Sequence, residues 1–74
     1  MIREEQLLRG IIFGDRHTGE YVYMPGSEVG AACPVYVYET EESRTDIDPD
    51  EALRLIRVRD LRPTEHPILG RTSC

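Results

Sequence analysis

Two stretches of the chain alternate large aromatic with aliphatic side chains, which is the pattern of a β-strand. These are EYVYM (20–24) and VYVYET (35–40). The apolar run QLLRGIIF (6–13) predicts a strand before them, with Gly10 marking a bulge or a close backbone approach. The turn-rich GDRHTG (14–19) predicts a hairpin between that strand and 20–24. The first five residues, MIREE, fit either a helical turn or an extension of the first strand.

A helix start follows in DIDPDEALRLI (46–56). Asp48 is the expected N-cap, Pro49 suits the first helical position, and Glu51 follows the cap at capping-box spacing. The next segment, IRVRD (56–60), alternates apolar residues with arginine, which is strand periodicity. We therefore expect a short helix near 49–55 and then a last strand. One continuous helix to residue 60 is the alternative.

The length of the chain fits one small domain. Its 74 residues contain enough Leu, Ile, Val and Phe to form a core, although a domain of this size is only marginally stabilised by one. The elements predict an α+β fold that is mainly β: a small antiparallel sheet, or an SH3-like barrel in layout, of three to five strands with one short helix near 49–55. We expect residues 1–62 to form the globular domain and 63–74 a tail that is partly docked, through Ile68 and Leu69, or frayed.

All four tyrosines lie in the two alternating stretches. Side chains two apart along a strand share a face, so the tyrosines of each stretch point to the same side. If the intervening valines (Val22, Val35, Val37) face the core, the tyrosines form one exposed patch, and tyrosine is common at protein interfaces. The alternative is ordinary cross-strand packing without any ligand. The predicted patch comprises Tyr21, Tyr23, Tyr36 and Tyr38.

Charge is distributed unevenly along the chain. The formal net charge is −5, yet residues 39–51 alone carry seven carboxylates against one arginine, and residues 52–74 are net basic. This acidic block is either a solvated loop that aids solubility or a negative surface that steers the protein to a basic partner. Because the acids directly follow the tyrosines, we add four of them to the candidate partner-binding residues: Glu39, Glu41, Glu42 and Asp46.

Catalytic and metal-binding motifs are weak in this sequence. Asp15, His17 and Glu20 lie in one predicted turn and could bind a metal together with His66, but zinc sites usually show paired Cys or His at short spacings. The two cysteines do not make a disulfide framework. No glycine-rich phosphate loop or nucleophile signature is present. We therefore expect no enzyme activity, no cofactor and no metal.

These observations favour a non-catalytic protein-binding module, an inhibitor or adaptor. It would engage a basic partner protein, a class that includes nucleic-acid-handling proteins, without itself contacting nucleic acid or a membrane. This is similar in style to the small acidic inhibitors of phages and mobile elements, such as anti-CRISPR proteins. Lacking any signal-peptide pattern, the chain is expected to be cytoplasmic, as a monomer or homodimer. The alternatives are an assembly subunit that homodimerises through its sheet and, less favoured, a small metal-dependent enzyme.

Overall fold

A computed structural model describes residues 4–25, 32 and 34–67 of the chain. The elements are α1 (Glu4–Leu8), β1 (Phe13–Asp15), β2 (Glu20–Tyr23), β3 (Tyr36–Glu39), β4 (Arg44–Ile47), α2 (Pro49–Val58) and β5 (Arg62–Pro63). The strands form one antiparallel sheet in the order β4-β3-β2-β1-β5. The structure confirms the predicted small α+β fold, which is mainly β. Of the two layouts considered, it has the small antiparallel sheet. Ile68 and Leu69, proposed to dock the tail, lie outside the described residues, as do both cysteines.

The predicted strand at 6–13 is wrong over most of its length. Residues Glu4–Leu8 are helical, and the strand begins only at Phe13. Gly10 has φ +86° and its N–H donates to the Leu7 carbonyl, while the Ile11 N–H donates to the Gln6 carbonyl. This is the Schellman arrangement that ends helices at a glycine. Gly10 is therefore a helix C-terminal signal and not a strand bulge.

The predicted cap of α2 is confirmed. Asp48 Oδ1 accepts a hydrogen bond from the Glu51 N–H at 2.8 Å, and Pro49 is the first helical residue. The helix continues to Val58, so the strand predicted at 56–60 is wrong and the continuous helix is the better alternative. Three residues at helical spacing face the sheet and are buried, which outweighs the local strand periodicity: Ala52, Leu55 and Ile56.

The strand β4 was not predicted. It lies inside the acidic block, and its sequence RTDI is exposed at its first three positions. Because Ile47 is its only apolar residue, and only partly buried, the strand has no apolar alternation to reveal it. The β3–β4 connection is a tight turn in which the Thr40 N–H donates to the Ser43 carbonyl at 2.8 Å.

The sheet is packed on both faces. The helices cover one face and enclose the main core: Leu7, Phe13, Val22, Met24, Tyr36, Ala52, Leu55, Ile56 and Leu61. The other face carries a smaller apolar cluster of Ile12, Tyr21, Tyr23 and Val37, against which His66 packs. The segment after β5 is held there by the Thr64 N–H, which donates to the Ile12 carbonyl at 2.9 Å. Neither described helix has the length and apolar run that crossing a bilayer requires.

Candidate functional site

The tyrosines divide between the two faces of the sheet, so the prediction of a single tyrosine face is wrong. In the β2–β3 pairing Val22 lies opposite Tyr38, and Tyr23 lies opposite Val37. Directly opposed residues share a face. Odd-numbered residues of β2 therefore lie opposite odd-numbered residues of β3. Because the tyrosines are odd-numbered in β2 and even-numbered in β3, the two pairs point to opposite faces of the sheet.

Most of the predicted tyrosine patch is buried and therefore forms no exposed surface. Tyr21, Tyr23 and Tyr36 are between 0% and 5% exposed, and only Tyr38 is half-buried. The expected core position of Val35 is also wrong, because that side chain is exposed. These tyrosines therefore stabilise the sheet, as in the alternative of ordinary cross-strand packing.

A hydrogen-bonded group of four residues, here called the inner cluster, occupies the face opposite the helices. It consists of Tyr21, Tyr23, Glu39 and His66. The Tyr23 hydroxyl donates to Glu39 Oε1 at 2.9 Å, and His66 Nε2 lies 2.8 Å from Glu39 Oε2. The His66 ring is buried between the rings of Tyr21 and Tyr23, with centroids 4.8 and 5.5 Å away. Glu39 thus joins β3 to β2 and to the segment after β5.

The inner cluster shifts the pKa values of its members. Burial raises the pKa of Glu39, but hydrogen bonds from His66 and Tyr23 outweigh it, so that the net pKa is below the ordinary 4.5. Burial, together with the hydrogen bond to Glu39, raises the pKa of Tyr23 to about 12. The folded protein therefore favours the ionised carboxylate of Glu39 and the neutral phenol of Tyr23. The negative charge of Glu39 stabilises the inner cluster.

Glu20 is a second carboxylate with internal partners. The Tyr38 hydroxyl donates to its Oε2 at 2.5 Å, and Thr18 Oγ1 donates to its Oε1 at 3.1 Å. Arg59 Nε lies 3.7 Å from Oε2, which links the end of α2 to the sheet. The hydrogen bond to Glu20 and partial burial raise the pKa of Tyr38. Both the hydroxyl of Tyr38 and the charge of Glu20 are therefore engaged within the protein.

The other three predicted acidic residues form what we call the outer acidic surface: Glu41, Glu42 and Asp46. All three are exposed, two in the β3–β4 turn and one on β4. No ion pair within the described part of the chain includes any of them. Of the eight predicted partner-binding residues, the structure brings these together on one hairpin and leaves them facing solvent.

The residues considered for a metal site do not come together. His17 is exposed in the β1–β2 turn, where its backbone N–H donates to Asp15 Oδ1 at 2.8 Å. His66 belongs to the inner cluster and Glu20 binds Tyr38. Among the described residues, no three or more His, Cys, Asp or Glu side chains are grouped to hold a metal ion.

No protein-family model matches this chain, and no curated protein or solved structure matches it either. The clearest contrast is between the carboxylates of Glu20 and Glu39, which have internal partners, and the outer acidic surface, which has none among the described residues.

Proposed function

We propose that this chain is a non-catalytic protein-binding module, an inhibitor or adaptor, that engages a basic partner protein through its outer acidic surface. The observation that carries the proposal is the exposure of Glu41, Glu42 and Asp46 on one hairpin, without ion pairs in the described chain. Exposed carboxylates contribute little to folding stability. Concentrated on one surface, they raise the rate of encounter with positively charged partners.

Two further acidic residues, Glu39 and Glu20, are left out of the proposed binding surface because they have partners within the protein. Glu39 and Glu20 each accept hydrogen bonds from tyrosine hydroxyls, so their charges are already compensated within the protein. The tyrosines that are buried in the sheet lack the exposure that an interface anchor needs before binding. The proposed contact is therefore electrostatic and centred on the β3–β4 hairpin.

The chemistry of this surface defines the class of partner. Carboxylates on a compact hairpin offer acceptors to arginine and lysine side chains, which form charge-assisted hydrogen bonds with them. Proteins that bind nucleic acid carry such basic surfaces for phosphate contacts. An inhibitor of this kind would occupy the basic surface in place of phosphate groups, with no contact of its own to nucleic acid.

Affinity capture with matched variants tests the proposal. The immobilised protein would be incubated with a lysate of the source cells, next to Glu41→Gln/Glu42→Gln and, as control, Asp60→Asn/Glu65→Gln. The control removes two exposed carboxylates away from the hairpin, and asparagine tolerates the positive φ of 53° at position 60. Retained proteins would be quantified by mass spectrometry and then purified for direct binding.

The expected result is a basic protein that the wild type and the control retain and that the hairpin variant loses. The purified protein must bind directly, with weaker binding as added salt shortens the screening length. Equal retention by all three forms, or no retained basic protein, would overturn the proposed function.

A further inference from the structure

The strand β4 forms an edge of the sheet. In the part of the chain that the structure describes, β4 pairs with β3 and with no strand on its other side. Its residues Arg44, Thr45 and Asp46 are exposed. An edge of this kind presents backbone N–H and C=O groups that can pair with another strand.

The register shows which backbone groups point outward. The Thr40 N–H donates to the Ser43 carbonyl, so residues 40 and 43 face each other across the turn. Hydrogen-bonded and non-hydrogen-bonded pairs alternate along an antiparallel ladder. With Tyr38 opposite Thr45, the backbone groups of Thr45 and Ile47 point to β3. Those of Arg44 and Asp46 therefore point to the outer edge.

We propose that the partner adds an extended, basic segment to β4 as a sixth, antiparallel strand. This inference rests on the proposed function and specifies the contact by which it operates. Recognition by strand addition takes its affinity from main-chain hydrogen bonds and its specificity from side chains along the added strand. The outward N–H and C=O groups of Arg44 and Asp46 supply the main-chain contacts.

The charges along the edge favour a basic segment over a second copy of this chain. Asp46 lies on the edge itself, with Glu42 before β4 and Asp48 after it. A second copy paired antiparallel about Thr45 would bring Arg44 opposite Asp46, but it would also bring Glu42 near Asp48 of the other copy at both ends. It would also join two chains of net charge −5. Basic residues at alternate positions of a partner meet Glu42 and Asp46 favourably, and they also meet the exposed Asp48, whose Oδ1 caps α2.

A synthetic peptide tests strand addition on the unmodified protein. The probe is RVRTQTR, whose first, third and last residues are placed opposite Asp48, Asp46 and Glu42 in an antiparallel alignment. Binding would be followed by NMR of the ¹⁵N-labelled protein. The amide of the third peptide residue faces β4 and that of the fourth faces away. N-methylation of the third residue should abolish binding, and N-methylation of the fourth should preserve it.

A pair of protein variants separates the backbone contact from charge. Arg44→Pro removes the outward N–H, which the β3–β4 ladder does not use, and proline is tolerated at such edge positions. Arg44→Gln removes the same charge and keeps the N–H. We expect Arg44→Gln to bind RVRTQTR at least as well as the wild type, and Arg44→Pro to bind at least about tenfold more weakly. The methylated peptides are tested on the unmodified protein. They therefore still test strand addition if Arg44→Pro proves too unstable to fold.

The outcomes distinguish this inference from the proposed function. Equal binding of the two methylated peptides would show docking by charge alone and would overturn strand addition, while the lysate capture could still support the acidic surface. Failure of the peptide to bind the wild type would also overturn strand addition. A dimer by light scattering that Arg44→Pro dissociates would assign the edge to a second copy and overturn the proposed occupant.

Discussion

Glu39 and Glu41 are two residues apart on the same hairpin, yet the structure gives their side chains opposite environments. The Glu39 side chain is 24% exposed, accepts from Tyr23 and contacts the buried His66, whereas Glu41 is exposed at the turn. Residue type and local charge density therefore do not distinguish a carboxylate that is engaged within the protein from one that is left exposed. Burial and hydrogen-bond partners do.

The largest expected effect is on folding stability. Replacing Glu39 with alanine leaves the buried Tyr23 hydroxyl and His66 without their shared acceptor, so Glu39→Ala should lower the free energy of unfolding by about 2–4 kcal/mol. Glu41→Ala, the matched control on the same hairpin, should change it by less than about 0.5 kcal/mol. Urea unfolding followed by circular dichroism measures both. Equal losses would erase the distinction between the two carboxylates.

Alkaline pH should lower the folding stability of the protein through the ionisation of Tyr23 in the inner cluster. Its pKa is raised from 10.0 to about 12 in the folded protein, so the unfolded chain loses the phenolic proton first. The stabilisation is fully present below pH 10 and is lost as pH rises toward 12, by up to about 2–3 kcal/mol. Subtracting the same titration of Tyr23→Phe removes the contributions of the other tyrosines. A wild-type curve parallel to that of Tyr23→Phe would contradict the assignment.

Acidic pH should also destabilise the inner cluster, because it protonates Glu39. The pKa of Glu39 is lowered in the folded protein, so its carboxylate contributes stability above the ordinary value, and this contribution is lost as pH falls through the folded pKa. The stability difference between the wild type and Glu39→Gln should therefore shrink from about pH 5 downward. Urea unfolding at each pH measures it. A constant difference would mean that the Glu39 charge does not stabilise the cluster.

Much of the fold was predictable because its signals are local. The aromatic alternation of β2 and β3 and the cap residues of α2 each depend on a few neighbouring positions, and all three predictions are confirmed in kind. The end of α1 was equally local, but Gly10 was interpreted as a bulge. The preferred end of α2 near residue 55 was wrong, and the alternative of a continuous helix was the better one, because burial against the sheet outweighs the strand periodicity that follows Leu55.

The candidate site was less predictable because it depends on register. A shift of one residue between β2 and β3 would have brought all four tyrosines to one face, and no local pattern fixes that register across the long connection between the strands. The role of Glu39 depends on the same register and on His66, which is distant in sequence. By contrast, the exposure of Glu41 and Glu42 follows from their place in a turn, and both interpretations of the acidic block implied it.

Surface plasmon resonance at low and high salt measures whether Glu41 and Glu42 steer the captured partner onto the hairpin. Charges at the rim of an interface act mainly on association, and salt screens them. Glu41→Gln/Glu42→Gln should associate roughly tenfold more slowly than the wild type at low salt, with a smaller difference at high salt and an unchanged free energy of unfolding. Asp60→Asn/Glu65→Gln should behave as the wild type. Equal association rates of the two double variants at low salt would contradict electrostatic steering by the hairpin.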